Sequence, residues 1–133
     1  MKLAIIGAGY IAEEHLRVID DIPDLKAEAI LTRTKEKALK LQKKYNIPSI
    51  LKDFEDLEEN AKNYDGVLIL VSAENLYSVT ERILKLKLPT FIEKPPGLTF
   101  KESTRLSNLA QKLNCPNMVG YNRRFYSIFH QGL

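Results

Sequence analysis

Two hydrophobic periodicities alternate along the chain. Short, continuous apolar runs, of which residues 3–7 form the first, are followed by longer stretches in which apolar residues recur every three or four positions. The short runs are typical of strands buried on both faces, and the longer stretches are typical of amphipathic helices. The short runs predict six strands, at residues 3–7, 27–31, 48–51, 67–71, 90–93 and 118–121.

Helices are predicted between consecutive strands. Thr34 and Thr99 stand at N-cap positions, and Pro89 and Pro116 follow predicted helix ends. The acidic segment 54–64 predicts one further, brief helix. The apolar stripes of the other helices are Ile11, Ala12, Leu16 and Ile19; Ala38, Leu41 and Tyr45; Leu76, Val79, Ile83 and Leu86; and Leu106, Leu109, Ala110 and Leu113.

This alternation predicts the architecture. Parallel strands joined by helices form right-handed crossovers, which place helices on both faces of one sheet. The sequence therefore predicts the α/β class, with a doubly wound parallel sheet of about six strands. The uninterrupted apolar run at residues 67–71 indicates the central strand.

Composition excludes several classes of protein. The 133 residues are 44% hydrophobic and 28% charged, which fits one globular domain and not a disordered, collagenous or coiled-coil chain. We expect neither a membrane span, which needs roughly 18 consecutive apolar residues, nor a signal peptide. Cys115 is the one cysteine, which excludes an intrachain disulfide and favours a cytoplasmic location. His15 and His130 are too far apart in sequence to suggest a metal site.

Charge is distributed unevenly over the two halves of the chain. The net charge is +3, but residues 1–66 contain eleven basic and thirteen acidic side chains, and residues 67–133 contain nine basic and four acidic ones. The nine basic residues are dispersed from Arg82 to Arg124, which is unlike the stripe that binds nucleic acid. A small, phosphate-bearing ligand is the better prediction.

A glycine motif lies at the first strand–helix junction. Gly7, Gly9 and Ala12 form the pattern G-x-G-x-x-A directly after the first strand and at the start of the first helix. In that context the pattern predicts a Rossmann fold that binds a dinucleotide, with the pyrophosphate at the helix N-terminus beside Tyr10 and Ile11. The alternative is a glycine-rich turn without a ligand.

The end of the second strand bears on cofactor choice. NAD-binding domains usually have an Asp or Glu there, whose carboxylate accepts a hydrogen bond from the ribose 2′-hydroxyl. This chain has Thr32 and Arg33 instead, and Glu28 lies too early in the strand to reach the ribose. A guanidinium suits a 2′-phosphate, so NADP is favoured over NAD. The alternative for Arg33 is a solvated surface position.

Glu93 and Lys94 form a second candidate site. They end the fifth strand and precede Pro95 and Pro96, at the edge of the sheet where doubly wound folds bind ligands. A partly desolvated lysine beside a nicotinamide ring could exchange a proton with a substrate hydroxyl. A surface salt bridge between Glu93 and Lys94 is the alternative.

Four segments together resemble one family of proteins. AIIGAGYIAEEH, LTR, FIEKPPGLT and VGYNRRF are similar to the N-terminal half of the Gfo/Idh/MocA family of glucose–fructose oxidoreductases and inositol dehydrogenases. The resemblance implies an oxidoreductase that transfers a hydride between a nicotinamide cofactor and a sugar, cyclitol or related polyol or ketone.

The resemblance also implies roles for individual residues. It assigns Lys94 as the catalytic residue and implies a cis bond before Pro95. Tyr77 stands where many members have histidine, so no role carries over to it. His15 matches a histidine that helix packing explains as well as chemistry does. Further cofactor-binding residues implied by the resemblance are Ser72, Ala73, Asn75, Glu93, Asn122 and Arg123.

Domain organisation follows from the same resemblance. Residues 1–122 are expected to form the dinucleotide-binding domain, and residues 123–133 are expected to begin a connection to a C-terminal substrate domain that this chain lacks. The apolar tail that includes Phe125 and Phe129 raises the hypothesis of self-association as a homo-oligomer. An alternative function is a non-catalytic dinucleotide sensor or regulatory module, and a third hypothesis is a scaffold that no longer binds a cofactor.

Overall fold

A computed structural model describes residues 1–127, which form one six-stranded sheet with helices on both faces. The strands are β1 (Lys2–Ile6), β2 (Lys26–Leu31), β3 (Ser49–Ile50), β4 (Gly66–Ile69), β5 (Thr90–Ile92) and β6 (Asn117–Val119). The α-helices are α1 (Tyr10–Asp20), α2 (Lys35–Tyr45), α3 (Phe54–Glu59), α4 (Ala73–Ile83) and α5 (Phe100–Leu113). Short 3₁₀ turns cover Ala61–Asn63, Leu84–Leu86 and Asn122–Phe125.

All strand pairs are parallel, and the strand order is β3-β2-β1-β4-β5-β6. The chain proceeds outward from β1 to β3 and then returns to β4 on the other side of β1. Ile6 is in register with Leu31 of β2 and with Ile69 of β4, so these three strands end at one level. The order reverses between β1 and β4, and ligands of doubly wound sheets bind in the crevice at such a point. The predicted α/β Rossmann architecture is confirmed.

Side chains of alternate strand positions enter two separate cores. On one face, Ile5 and Ile30 pack with residues of α1 and α2; on the other, Ile6 and Ile69 pack with Leu76 of α4 and with α3. These residues are 0–2% exposed. Burial on both faces explains why the strands are continuous apolar runs.

Two local predictions were wrong in detail, and a third was confirmed in position only. The fourth helix was expected to include Leu86, but the α-helix ends at Ile83 and a 3₁₀ turn follows, closed by Lys87 in the left-handed region at φ 57°. The sixth strand was expected at 118–121, but ladder pairing ends at Val119 because the Tyr121 N–H bonds back to the Val119 carbonyl. Thr34 is the N-cap residue of α2, as predicted, but its side chain makes no capping hydrogen bond within the described residues.

The second predicted cap is confirmed. The Thr99 hydroxyl accepts from the Glu102 N–H, and the Glu102 carboxylate accepts from the Thr99 N–H, which together form a capping box at the start of α5. Within residues 1–127, no helix is long and apolar enough to cross a membrane.

Candidate functional site

The turn after β1 is tightly constrained by β4. Gly7 adopts φ +119°, a region that L side chains rarely enter, and a Cβ there would overlap the Leu70 carbonyl and lie 2.7 Å from its carbon. The Gly7 N–H donates to the Leu31 carbonyl at 2.8 Å. Glycine at position 7 therefore lets β1, β2 and β4 converge beneath the turn.

Gly9 is constrained differently. It is the N-cap of α1 in extended conformation, and apart from Gly9 and its two chain neighbours no described residue has an atom within 4 Å of a Cβ built there. The space beside Gly9 at the start of α1 is thus open, and the N-terminus of a helix suits an anionic ligand. Ala12 is fully buried beneath the turn, whereas Tyr10 and Ile11 are 74% and 41% exposed beside it.

A cavity of about 460 Å³ opens at this turn and extends along the carboxyl ends of β1, β2 and β4. Its glycine and aliphatic lining suits a dinucleotide's pyrophosphate and adenosine. Predicted residues from three separate segments share this cavity: Gly7, Gly9, Thr32, Arg33, Ser72 and Asn75.

The β2 side of the cavity contains three cationic side chains, those of Arg33, Lys37 and Lys52. Asp53 also lines it, but its Oδ1 accepts the Asp56 N–H at 2.9 Å and so caps α3. Sequence reasoning missed both lysines. Lys37 lies in the first turn of α2, four residues after Arg33, and this spacing can be seen in the sequence. Lys52, in contrast, reaches the cavity because β3 pairs with β2.

Neighbouring polar side chains form a hydrogen-bonded network on the β4 side of the cavity. The Ser72 hydroxyl donates to Glu74 Oε1 at 2.7 Å and accepts from Asn75 Nδ2 at 2.8 Å. The backbone N–H of Glu74, the Ser72 hydroxyl and the positive charge of Arg33 together lower the pKa of the Glu74 carboxyl. Glu74 is therefore an anion close to the cationic side of the cavity.

A second, smaller cavity of about 230 Å³ lies at the ends of β5 and β6. His15, Glu93, Gly120 and Asn122 are among its lining residues. The Glu93 carboxylate is 14% exposed and lies 3.4 Å from His15 Nε2 and 3.8 Å from Lys94 Nζ. Sequence reasoning left packing and chemistry open for His15 and did not foresee its contact with Glu93.

The remaining predicted residues occupy different surroundings. The Lys94–Pro95 bond is cis, as the family resemblance implied, and Lys94 is exposed at the edge of the sheet. Ala73 begins α4 outside the larger cavity, and the exposed Arg123 is absent from the lining of both cavities. Tyr77 donates to Glu81 within α4 and packs toward α5, away from the glycine turn. His130 and Phe129 lie outside the described residues.

Residues 1–121 match the model of the Gfo/Idh/MocA family, an oxidoreductase family with an NAD-binding Rossmann fold. The rhizopine catabolism protein MocA of Rhizobium meliloti is 25% identical over 126 residues, which are 93% of this chain and 38% of that protein. A Gfo/Idh/MocA family oxidoreductase from Vibrio cholerae superposes with a TM-score of 0.88 at 30% identity, over 100% of this chain and 42% of that one. The myo-inositol 2-dehydrogenase of Lactobacillus plantarum shares the fold, with a TM-score of 0.87 at 22% identity over 99% and 39% of the two chains.

The chain spans between 35% and 42% of the length of four curated relatives that it matches. The part that matches the family model contains the glycine turn, the whole lining of the larger cavity and most of the lining of the smaller one.

Proposed function

Because this chain belongs to the Gfo/Idh/MocA family of oxidoreductases, with its NAD-binding Rossmann fold, we propose that it is the NADP-binding domain of a dehydrogenase or reductase. The proposed substrate is a sugar, a cyclitol or a related polyol or ketone. The main support for NADP is the group of three cationic side chains, Arg33, Lys37 and Lys52, at the β2 side of the larger cavity.

Electrostatics favour a 2′-phosphate at this position. A ribose 2′-hydroxyl needs an acceptor carboxylate, whereas a 2′-phosphate needs donors and positive charge. Thr32 and Arg33 stand at the end of β2, where NAD-binding domains usually have the carboxylate, and Asp53 is already bonded to the Asp56 N–H. The open N-terminus of α1 at Gly9 fits the pyrophosphate of the same nucleotide.

Lys94 is the proposed catalytic residue. A bound nicotinamide would supply hydride chemistry at its ring carbon. Lys94, exposed at the carboxyl end of β5, would hold the reacting oxygen of the substrate and exchange a proton with it through its ε-amino group. The residues proposed to flank the nicotinamide end of the cofactor are Glu93, Pro95, Asn122 and Arg123. Those proposed to border the rest of the cofactor are Ala73, Tyr10 and Ile11.

The substrate class rests on the relatives. One is named for rhizopine catabolism and another, alike in fold, is a myo-inositol dehydrogenase. We further propose that residues 123–133 begin the connection to a substrate domain in a longer protein, because the matched relatives extend well beyond the aligned part.

Parallel titrations with NADPH and NADH at one fixed ionic strength test the cofactor proposal. We expect NADPH to bind at least tenfold more tightly, a difference of about 1.4 kcal/mol, and Arg33→Ala to abolish this preference. Arg105→Ala, which removes an exposed arginine from α5, should preserve it. Equal affinities for the two nucleotides in the unmodified chain would refute the NADP assignment but not the dinucleotide site.

A further inference from the structure

Each oxygen of the Glu93 carboxylate has its own partner. Oε2 lies 3.4 Å from Nε2 of His15, and Oε1 lies 3.8 Å from Nζ of Lys94. The Glu93 side chain is 14% exposed, whereas that of Lys94 is 54% exposed. A plain surface salt bridge would leave both groups in solvent. Here the carboxylate is sheltered and the ammonium beside it reaches the surface.

Groups from three other elements surround Glu93. His15 approaches from α1, and its ring meets Phe91 of β5 edge-on, with centroids 5.1 Å apart and planes at 63°. Gly120, directly after β6, provides the space, since a Cβ there would lie 2.8 Å from Phe91 Cζ and 3.3 Å from Glu93 Oε2. The backbone N–H of Glu93 donates to the Ile69 carbonyl of β4 at 3.0 Å. The carboxylate and the backbone N–H of Glu93 are therefore both fixed by groups distant in sequence.

We propose that Glu93 and His15 are positioning residues, which act through Lys94 to orient its ammonium group toward the nicotinamide end of the bound dinucleotide. The inference rests on the proposed function, in which Lys94 contacts that end of the cofactor. His15 belongs to α1, the helix whose N-terminus is proposed to bind the pyrophosphate. The pair thus links the phosphate-binding helix to the strand that ends at Lys94.

A double-mutant cycle separates action through Lys94 from a general structural effect. The affinities of the 133-residue chain for NADPH are measured for Glu93→Gln, Lys94→Met and the double variant. We expect Lys94→Met to weaken NADPH binding about fivefold and Glu93→Gln about threefold, magnitudes typical of one lost hydrogen bond. In the Lys94→Met background, Glu93→Gln should have no further effect. Equal effects in both backgrounds would overturn the inference.

A half-cofactor provides the second readout. The nucleotide 2′,5′-ADP lacks the nicotinamide and its ribose, so neither Glu93→Gln nor Lys94→Met should weaken its binding. If Glu93 acted merely through its negative charge, which repels phosphates, removing that charge would tighten the binding of both NADPH and 2′,5′-ADP. Glu14→Gln is the matched control, since Glu14 is an exposed α1 carboxylate paired with Arg17. It should not weaken NADPH. A loss of 2′,5′-ADP binding in Glu93→Gln would indicate a structural role and reject the inference.

His15 is tested by its conservative variant. Gln retains an N–H donor for the carboxylate, so His15→Gln should keep the NADPH affinity within about twofold, whereas His15→Leu should match Glu93→Gln. Equal losses in both variants would reject the role of His15.

The same measurements distinguish a failure of the inference from a failure of the proposed function. If the chain bound no dinucleotide, the proposed function would fail. If Lys94→Met left NADPH affinity unchanged, the proposed contact of Lys94 would fail, and the inference with it. If Lys94→Met weakened binding but Glu93→Gln did not, the inference alone would be wrong.

Discussion

The two cavities at the carboxyl edge of the sheet are built in different ways. The larger one is built around a turn of backbone and small residues close together in sequence, Gly7 and Gly9. The smaller one depends on side chains brought together from afar, such as His15 and Glu93, which are separated by 78 positions. A local motif therefore specifies the turn of the first, whereas tertiary packing specifies the second.

This difference has a chemical counterpart. Backbone N–H groups and small residues suit a pyrophosphate, which has the same chemistry in every dinucleotide. Titratable side chains suit the end of the cofactor where a substrate would react. The first region is thus suited to the proposed binding of the dinucleotide, and the second is where specific chemistry is proposed.

The largest expected effect compares the two glycines of the turn. Gly7→Ala should lower the free energy of unfolding by more than about 3 kcal/mol, because φ +119° is strained for alanine and its Cβ would overlap the Leu70 carbonyl. Gly9→Ala should cost less than about 1 kcal/mol, because a Cβ there meets no described atom. Urea unfolding measures both.

Nucleotide binding completes this comparison. Gly9→Ala should weaken NADPH binding about tenfold or more, because the new methyl group would occupy space left for the pyrophosphate. A folded Gly9→Ala variant with unchanged affinity would show that the phosphates bind elsewhere.

The first region could be predicted from sequence to a large extent. Gly7 and Gly9 followed from a motif in its strand–turn–helix context, and Arg33 from its position at the end of β2. Lys52 could not be foreseen, because its place in the cavity depends on the pairing of β3 with β2. Thr34 fitted the capping pattern, yet its N–H bonds to the Thr32 hydroxyl and its own side chain makes no cap within the described residues.

The second region was less predictable. The spacing of the EKPP segment pointed to Lys94, and the family resemblance supplied the cis bond at Pro95. The contact of Glu93 with His15 gave no local signal, because α1 and β5 meet only in the folded sheet. The space provided by Gly120 likewise depends on the ring of Phe91 in the neighbouring strand.

A single methyl group at Gly120 tests whether the second region is as closely packed as the first. Gly120→Ala should lower the free energy of unfolding by about 1–3 kcal/mol, since Phe91 and Glu93 must move. It should also weaken NADPH binding while leaving 2′,5′-ADP binding unchanged. Thermal unfolding with parallel titrations provides the data. Equal weakening of both ligands would mean that the two regions are not separable.

The smallest expected effect concerns the charge balance of the first region. The Glu74 carboxyl has a lowered pKa because of its own backbone N–H, the Ser72 hydroxyl and Arg33, so it is ionised at neutral pH close to the cationic side chains. Glu74→Gln should therefore increase the affinity for NADPH about twofold at low salt. The increase should be smaller at high salt, because salt screens exposed charges. Glu59→Gln, on α3, serves as the control for a change in net charge. If both variants tightened NADPH equally, the effect would reflect overall charge. An effect confined to Glu74 would identify the carboxylate that opposes the 2′-phosphate and would explain why this region needs three cationic side chains rather than one.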